Sequence, residues 1–188
     1  MICKNYIVLL FVCICCTACH TKYPNQSPLK QSFPIVQGKS LDGKTWNIPK
    51  DFKAQPTLLL VGYVQKSQFD IDRWLIGLDM YDVQVQAFEL PCIEGLFPKM
   101  FKSKINAGMR RGIPKFLWKG VITIYQNSER ILKFTGNENP NNARVILLDH
   151  NGKVVDFHDE GFSVQGLKAL KTKIDLLKSL KKQTHKND

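Results

Sequence analysis

Six cysteines are the most reactive side chains in this 188-residue sequence, and their spacing divides them unequally. Cys3, Cys13, Cys15, Cys16 and Cys19 crowd the first nineteen residues, and Cys92 stands alone after them. Disulfide exchange needs a thiolate and a second sulfur, so beyond Cys19 dithiol chemistry has no partner residue. A single-cysteine oxidoreductase or peroxidase remains open at Cys92, which would need a cation such as Lys99 or Arg110 to hold its thiolate. Asp70 and Asp72 could serve as paired carboxylates, but two acids in the first turn of a helix also simply favour its dipole. His150 and His158 lack the paired spacing and extra ligands of a zinc site, and no metal or other cofactor is expected. Arg110 and Arg111, bounded by Gly108 and Gly112, offer planar forks for a carboxylate or phosphate.

The crowded cysteines have a chemistry of their own. Lys4 supplies a positive start, Tyr6 to Cys16 an apolar run, and Thr17-Ala18 two small residues before Cys19. That order resembles a bacterial lipoprotein signal, in which the cysteine is acylated and becomes the new N-terminus. Cys16 stands where leucine is usual, and an ordinary cleaved signal or short anchor is the plainer alternative. The run is shorter than the roughly 20 apolar residues that span a bilayer. His20, rather than aspartate, follows Cys19 and favours an outer-membrane destination facing the periplasm. The resulting expectation is residues 1–18 as signal peptide, 19–31 as lipidated tether, 32–182 as one domain and 183–188 as polar tail.

The tether, with Pro24, Asn25, Gln26, Ser27 and Pro28, reads as polar chain with no packing face. Net charge is +11. Behind a secretion signal this points to anionic headgroups or an acidic protein surface and away from nucleic acid.

The elements that must position these residues alternate. Phe33 to Phe52 carries turn signals at Gly38 and Asp42-Gly43 and reads as an N-terminal hairpin. Thr57 to Val64 is a continuous apolar run, the pattern of a strand covered on both faces. Ser67 is a predicted N-cap with Asp70 as its capping-box partner, followed by Ile71, Trp74, Leu75 and Leu78 at helical spacing. Tyr81 to Phe88 alternates as a strand that Pro91 ends. Leu96, Phe97, Met100, Phe101 and Ile105 mark a second helix stopped by Gly108. Val121 to Tyr125 and Arg144 to Asp149 read as strands, the latter turning at Asn151-Gly152 into Lys153 to His158. Val164, Leu167, Leu170, Ile174, Leu177 and Leu180 stripe a final helix.

This order and several strings carry a family resemblance. Phe33-Pro34 with Leu41-Asp42-Gly43-Lys44 is similar to the opening of peroxiredoxin-type proteins, and Leu147 to Lys153 to their closing hairpin. Gly108-Met109-Arg110-Arg111-Gly112-Ile113-Pro114, with Glu89-Leu90-Pro91 upstream, resembles the thioredoxin-like family of the mitochondrial ATP synthase assembly factor and its bacterial relatives. The resemblance implies an α/β, thioredoxin-like, peroxiredoxin-type three-layer sandwich with an N-terminal hairpin extension. It also implies an assembly or chaperone-like role. In redox-active relatives the nucleophilic cysteine lies between the first buried strand and its helix, and here Val64 to Asp70 contains none. Pro114 mimics the cis-proline of that fold but precedes the wrong elements, so it is expected to end a loop or begin a helical turn. Asn142-Ala143 stands where the cis-proline belongs.

The expected protein is therefore a redox-inactive binding module, held to lipid through Cys19 and meeting an envelope protein. Its working surface is expected at Gly108, Met109, Arg110, Arg111, Gly112 and Pro114, with Asp70, Asp72 and Trp74 as the second choice. The glycines would turn the backbone there, Met109 would offer apolar contact and the arginines would bind acidic groups.

Overall fold

The computed structural model describes residues 22–52, 55–95 and 100–184. Cys19, with the expected signal peptide at 1–18, and Leu96, Phe97 and Lys99 lie outside them. Strands β1 (Val36–Ser40) and β2 (Thr45–Ile48) form the expected hairpin. β3 (Thr57–Gly62) leads through a 3-10 turn at Gln65–Ser67 into α1 (Gln68–Met80). β4 (Gln86–Pro91) follows, then α2 (Lys102–Gly112), a 3-10 helix at Lys115–Gly120 and the short β5 (Ile122–Thr123). α3 (Ser128–Thr135), β6 (Arg144–Leu148), β7 (Val154–His158) and α4 (Val164–Thr184) complete the order. No described helix is long and apolar enough to cross a membrane.

Two ladders build the sheet. One has the order β4-β3-β6-β7, with β3 and β4 parallel and the other pairs antiparallel; the second has the order β2-β1-β5. Parallel bridges Glu89–Val121 and Cys92–Ile124 join them beside β4. The apolar run of β3 is explained by its two covered faces. Leu58 and Leu60 pack with Ile71, Trp74, Val145, Leu147 and Leu167 under α1 and α4. Leu59 and Val61 pack with Leu90, Ile131, Leu132 and Ile146 under α3 and the hairpin. Each such leucine, fully buried, contributes roughly 1.5–3 kcal/mol. The result is the three-layer α/β sandwich.

Three expectations fail here. The strand expected from Tyr81 begins only at Gln86, because Val83 is used to close the loop after α1, donating its N–H to Leu78 O at 2.8 Å. Gly108 does not stop a helix: α2 runs through it to Gly112, since glycine in a helix costs only about 1 kcal/mol relative to alanine. The chain before Ser32 is not free of packing. Tyr23 N–H donates to Asn137 Oδ1 at 2.7 Å, Asn25 N–H to Glu138 Oε2 at 2.9 Å, and Gln26 N–H to Thr135 O at 3.2 Å. Pro28 is buried. Gly136, at φ +74°, makes this crossing possible, because a Cβ there would run into Pro24 O and the Asn25 backbone.

Candidate functional site

The β3–α1 junction, where redox-active members of the family that the sequence resembles carry their cysteine, is filled here with structural side chains. Ser67 is not the expected cap. It sits in helical conformation and its hydroxyl donates to Val64 O at 2.6 Å. Asp70, expected as a cap or a contact for a partner, is 1% exposed. Its Oδ2 accepts the Ala143 N–H at 2.9 Å, and its Oδ1 accepts the Phe162 N–H at 2.8 Å and Arg73 at 3.1 Å. One carboxylate thus ties α1 to the entry of β6 and the entry of α4, so it is fully occupied and cannot serve a partner. Ala143, at the place of the missing cis-proline, spends its N–H on this bond. Trp74 is also withdrawn from any surface role. It is fully buried, edge-on to Phe162 at 5.4 Å and to His158 at 5.2 Å. Asp72 is exposed and accepts a bond from Gln68 at 2.9 Å.

Beside the junction lies a buried arginine that sequence reasoning passed over. Arg144 Nη1 donates to Asn139 O and Asn142 O at 2.9 and 3.1 Å; Nη2 donates to Asn25 Oδ1 and Gly136 O at 3.1 and 3.2 Å. Its guanidinium stands 5.5 Å over the Tyr63 ring. Tyr63 in turn bonds the Thr135 hydroxyl, and burial raises its pKa. A charged residue opening an apolar strand was the available signal.

Cys92 follows β4, its N–H donating to Gly62 O at 2.8 Å. The thiol is 2% exposed inside the apolar cluster, and burial, then the nearby Glu94, pushes its pKa well above the ordinary thiol range. Those are the opposite conditions from the cationic, accessible setting that makes a thiolate nucleophile. His150 sits exposed at the hairpin turn against Asn151, and His158 at the far end of β7 contacts Gly161 O at 2.7 Å.

The string from Gly108 to Pro114 is the end of a helix rather than a glycine-turned loop. Neither Gly108 nor Gly112 has positive φ, so neither is there for backbone freedom. Pro114 precedes the 3-10 helix, as expected. Arg110 and Arg111 part company. Arg111 is exposed, whereas Arg110 Nε donates to Leu41 O at 2.7 Å and its guanidinium lies 5.6 Å from the Trp118 ring. Arg110 thereby pins α2 over the outer face of the hairpin.

Between them is a cavity of about 400 Å³, lined by Gln37, Lys39 and Thr45 below, Lys102, Asn106 and Arg110 above, and Thr123 and Tyr125 at the side. Thr45, Lys39 and Thr123 form one cross-strand row, by the β1–β2 and β1–β5 registers. Lys102, Asn106 and Arg110 are four residues apart along one helix face. Tyr125 holds the helix start, its hydroxyl donating to Asn106 Oδ1 at 2.8 Å with Lys102 O at 3.3 Å. Burial pushes the Tyr125 pKa up to about 12, so the phenol keeps its proton. Only Arg110 of this set was anticipated. The polar alternation of β1 and the four-residue spacing in α2 were the readable signals.

Comparison with known proteins resolves the fold. No family model and no curated protein matches the sequence. Solved structures do match in shape. BsSco, a member of the Sco family of cytochrome c oxidase assembly proteins, superposes with a TM-score of 0.56 at 12% identity, covering 80% of this chain and 96% of that one. A SCO1/SenC family lipoprotein from Bacillus anthracis gives 0.54 at 14% identity over 82% and 99%. The exposed lipoprotein thioredoxin Etrx1 from Streptococcus pneumoniae gives 0.51 at 12% over 74% and 98%. The fold of this chain is thioredoxin-like.

Proposed function

We propose that this thioredoxin-like chain is a redox-inactive binding and assembly module of the bacterial envelope, tethered to lipid through an acylated Cys19. The observation that carries the reading is the β3–α1 junction. It has no cysteine, and the Asp70 carboxylate and both terminal amino groups of Arg144 are taken up in holding the chain together. The burial and raised pKa of Cys92 support the same reading against a single-cysteine enzyme. An assembly role is taken from the family resemblance of the Gly108–Pro114 string, and the Sco neighbour is described as an assembly protein. The lipid tether is taken from Lys4, the apolar run and Thr17-Ala18-Cys19.

The test is a peroxide-consumption and disulfide-reduction assay on the purified full chain, with Cys92→Ser as control. The expected result is turnover no greater than that of a free thiol, and no difference in the variant. Cysteine-dependent turnover well above that level replaces the binding module with an enzyme. Metabolic labelling with a palmitate analogue should mark the wild type and leave Cys19→Ala unmarked.

A further inference from the structure

The cavity under α2 has a charge pattern that nothing else among the described residues answers. Lys39, Lys102 and Arg110 line it, no carboxylate does, and among the described residues none pairs with these three cations. Around it the sequence from Gly95 to Ser128 contains no acid at all and seven lysines and arginines. A cluster of like charges without counterions is unfavourable, so its retention around a concave site points to an anion supplied from outside.

The donors are arranged as well as charged. Arg110 spends Nε on Leu41 O, which fixes the plane of the guanidinium and leaves both terminal amino groups without a protein acceptor among the described residues. Thr123 is 1% exposed on the cavity wall, and its hydroxyl has no hydrogen-bond partner. A buried hydroxyl left unsatisfied is destabilising, so a ligand that bonds it recovers that cost. The start of α2 adds a third element. Its first turn holds no acid and no side-chain cap, and Lys102 and Lys104 oppose the helix dipole that an anion would favour.

We infer that this cavity binds an organic phosphate: Lys39, Lys102 and Arg110 hold the phosphate, while Thr123 and the neighbouring amides bond a hydroxyl-bearing body. About 400 Å³ is more than a bare anion fills and lies within the roughly 300–1,000 Å³ of small-molecule sites. The lining of hydroxyls and amides suits a polyol better than an apolar body. The phosphate has two possible sources, a soluble phosphate ester or the headgroup of an anionic phospholipid. This inference rests on reading the chain as a binding module and names the ligand of that module.

The experiment titrates the full chain with glycerol phosphate and, separately, with short-chain phosphatidylglycerol, following amide chemical shifts. Glycerol and short-chain phosphatidylcholine are the blanks. Saturable shifts are expected in residues 37–45, 102–110 and 123, weakening as salt is added. Saturation by glycerol phosphate as tightly as by the lipid assigns a soluble source; tighter binding of the lipid assigns the headgroup. Lys39→Gln with Lys102→Gln should weaken binding at least about tenfold, two charge-assisted contacts being lost. Thr123→Val keeps side-chain shape and removes only the hydroxyl, so it should weaken binding with the thermal midpoint held or raised, and it serves if the double variant is unstable. No saturable shift with either probe, or wild-type affinity in both Thr123→Val and the lysine double variant, overturns the inference. Peroxide turnover with intact phosphate binding would instead sink the functional reading and leave this one standing.

Discussion

Two regions of the molecule cluster charge, and they are built on opposite terms. At the β3–α1 junction Asp70 and Arg144 are almost completely dry, and their partners are mostly backbone groups of the same chain, with Arg73 and Asn25 the two side chains among them. Under α2, Lys39, Lys102 and Arg110 face a cavity and mostly lack partners. The difference teaches where to look for function in a fold whose usual site has been closed. Groups committed to the backbone are architecture, and groups left over are available for recognition.

The sharpest way to break that contrast is Asp70→Ala. It strands the buried Ala143 N–H and the part-buried Phe162 N–H, 73 and 92 residues away, and should cost about 3–5 kcal/mol, read from the urea midpoint. A loss under about 1 kcal/mol would mean that the junction is not the fastening described. Arg144→Met comes next. It orphans the carbonyls of Gly136, Asn139 and Asn142 and should cost about 2–3 kcal/mol, with earlier proteolysis near Asn25 as a second readout. Arg110→Ala removes one charge-assisted bond to Leu41 O and should cost about 1.5 kcal/mol, whereas exposed Arg111→Ala should stay within about 0.5 kcal/mol. A loss of partner binding in Arg110→Ala would therefore need a stability control, and one in Arg111→Ala would not.

Glu89 sharpens the comparison through pH. Burial raises its carboxyl above the usual range, with Asp72 adding to the rise and the Gln68 hydrogen bond opposing it. The folded chain therefore holds this proton more tightly than the unfolded chain. The stability it contributes is present below the ordinary glutamate pKa and is lost as pH climbs through the raised folded value. Glu89→Gln should be more stable than wild type at neutral pH and flatter between about pH 4 and 7, by urea midpoints taken across that window. Smallest of all should be the effect of Lys39→Gln and Lys102→Gln on folding, within about 0.5 kcal/mol, despite their expected effect on ligand.

Much of this architecture is written in local patterns. The continuous run from Thr57, the period-two hairpin and the striped last helix each announce their element, and all three are present. What escaped is long-range. Nothing near Tyr23 or Pro28 says that their partners lie at Thr135 to Glu138. α3 is only eight residues, entered from Asn127 at φ +61°, too short for periodicity to mark it. Gly108 and Gly112 read as breakers because propensity is a weak prior that tertiary contacts override. The cavity gathers side chains from β1, β2, β5 and α2, and only the register of those strands brings Lys39 beside Thr123.

The fastening of the chain at Tyr23 has a consequence for reach. From Cys19 to Tyr23 the chain advances four residues, an extended length of about 14 Å. That is no more than the radius of gyration of a domain of some 150 residues, about 15 Å. A lipid on Cys19 would therefore hold the domain on a leash too short for it to tumble clear of the bilayer. The edge beside Asn137 would always be the near edge. Its partner search would be confined to a layer scarcely thicker than the protein, so whatever it meets must itself come to the membrane surface.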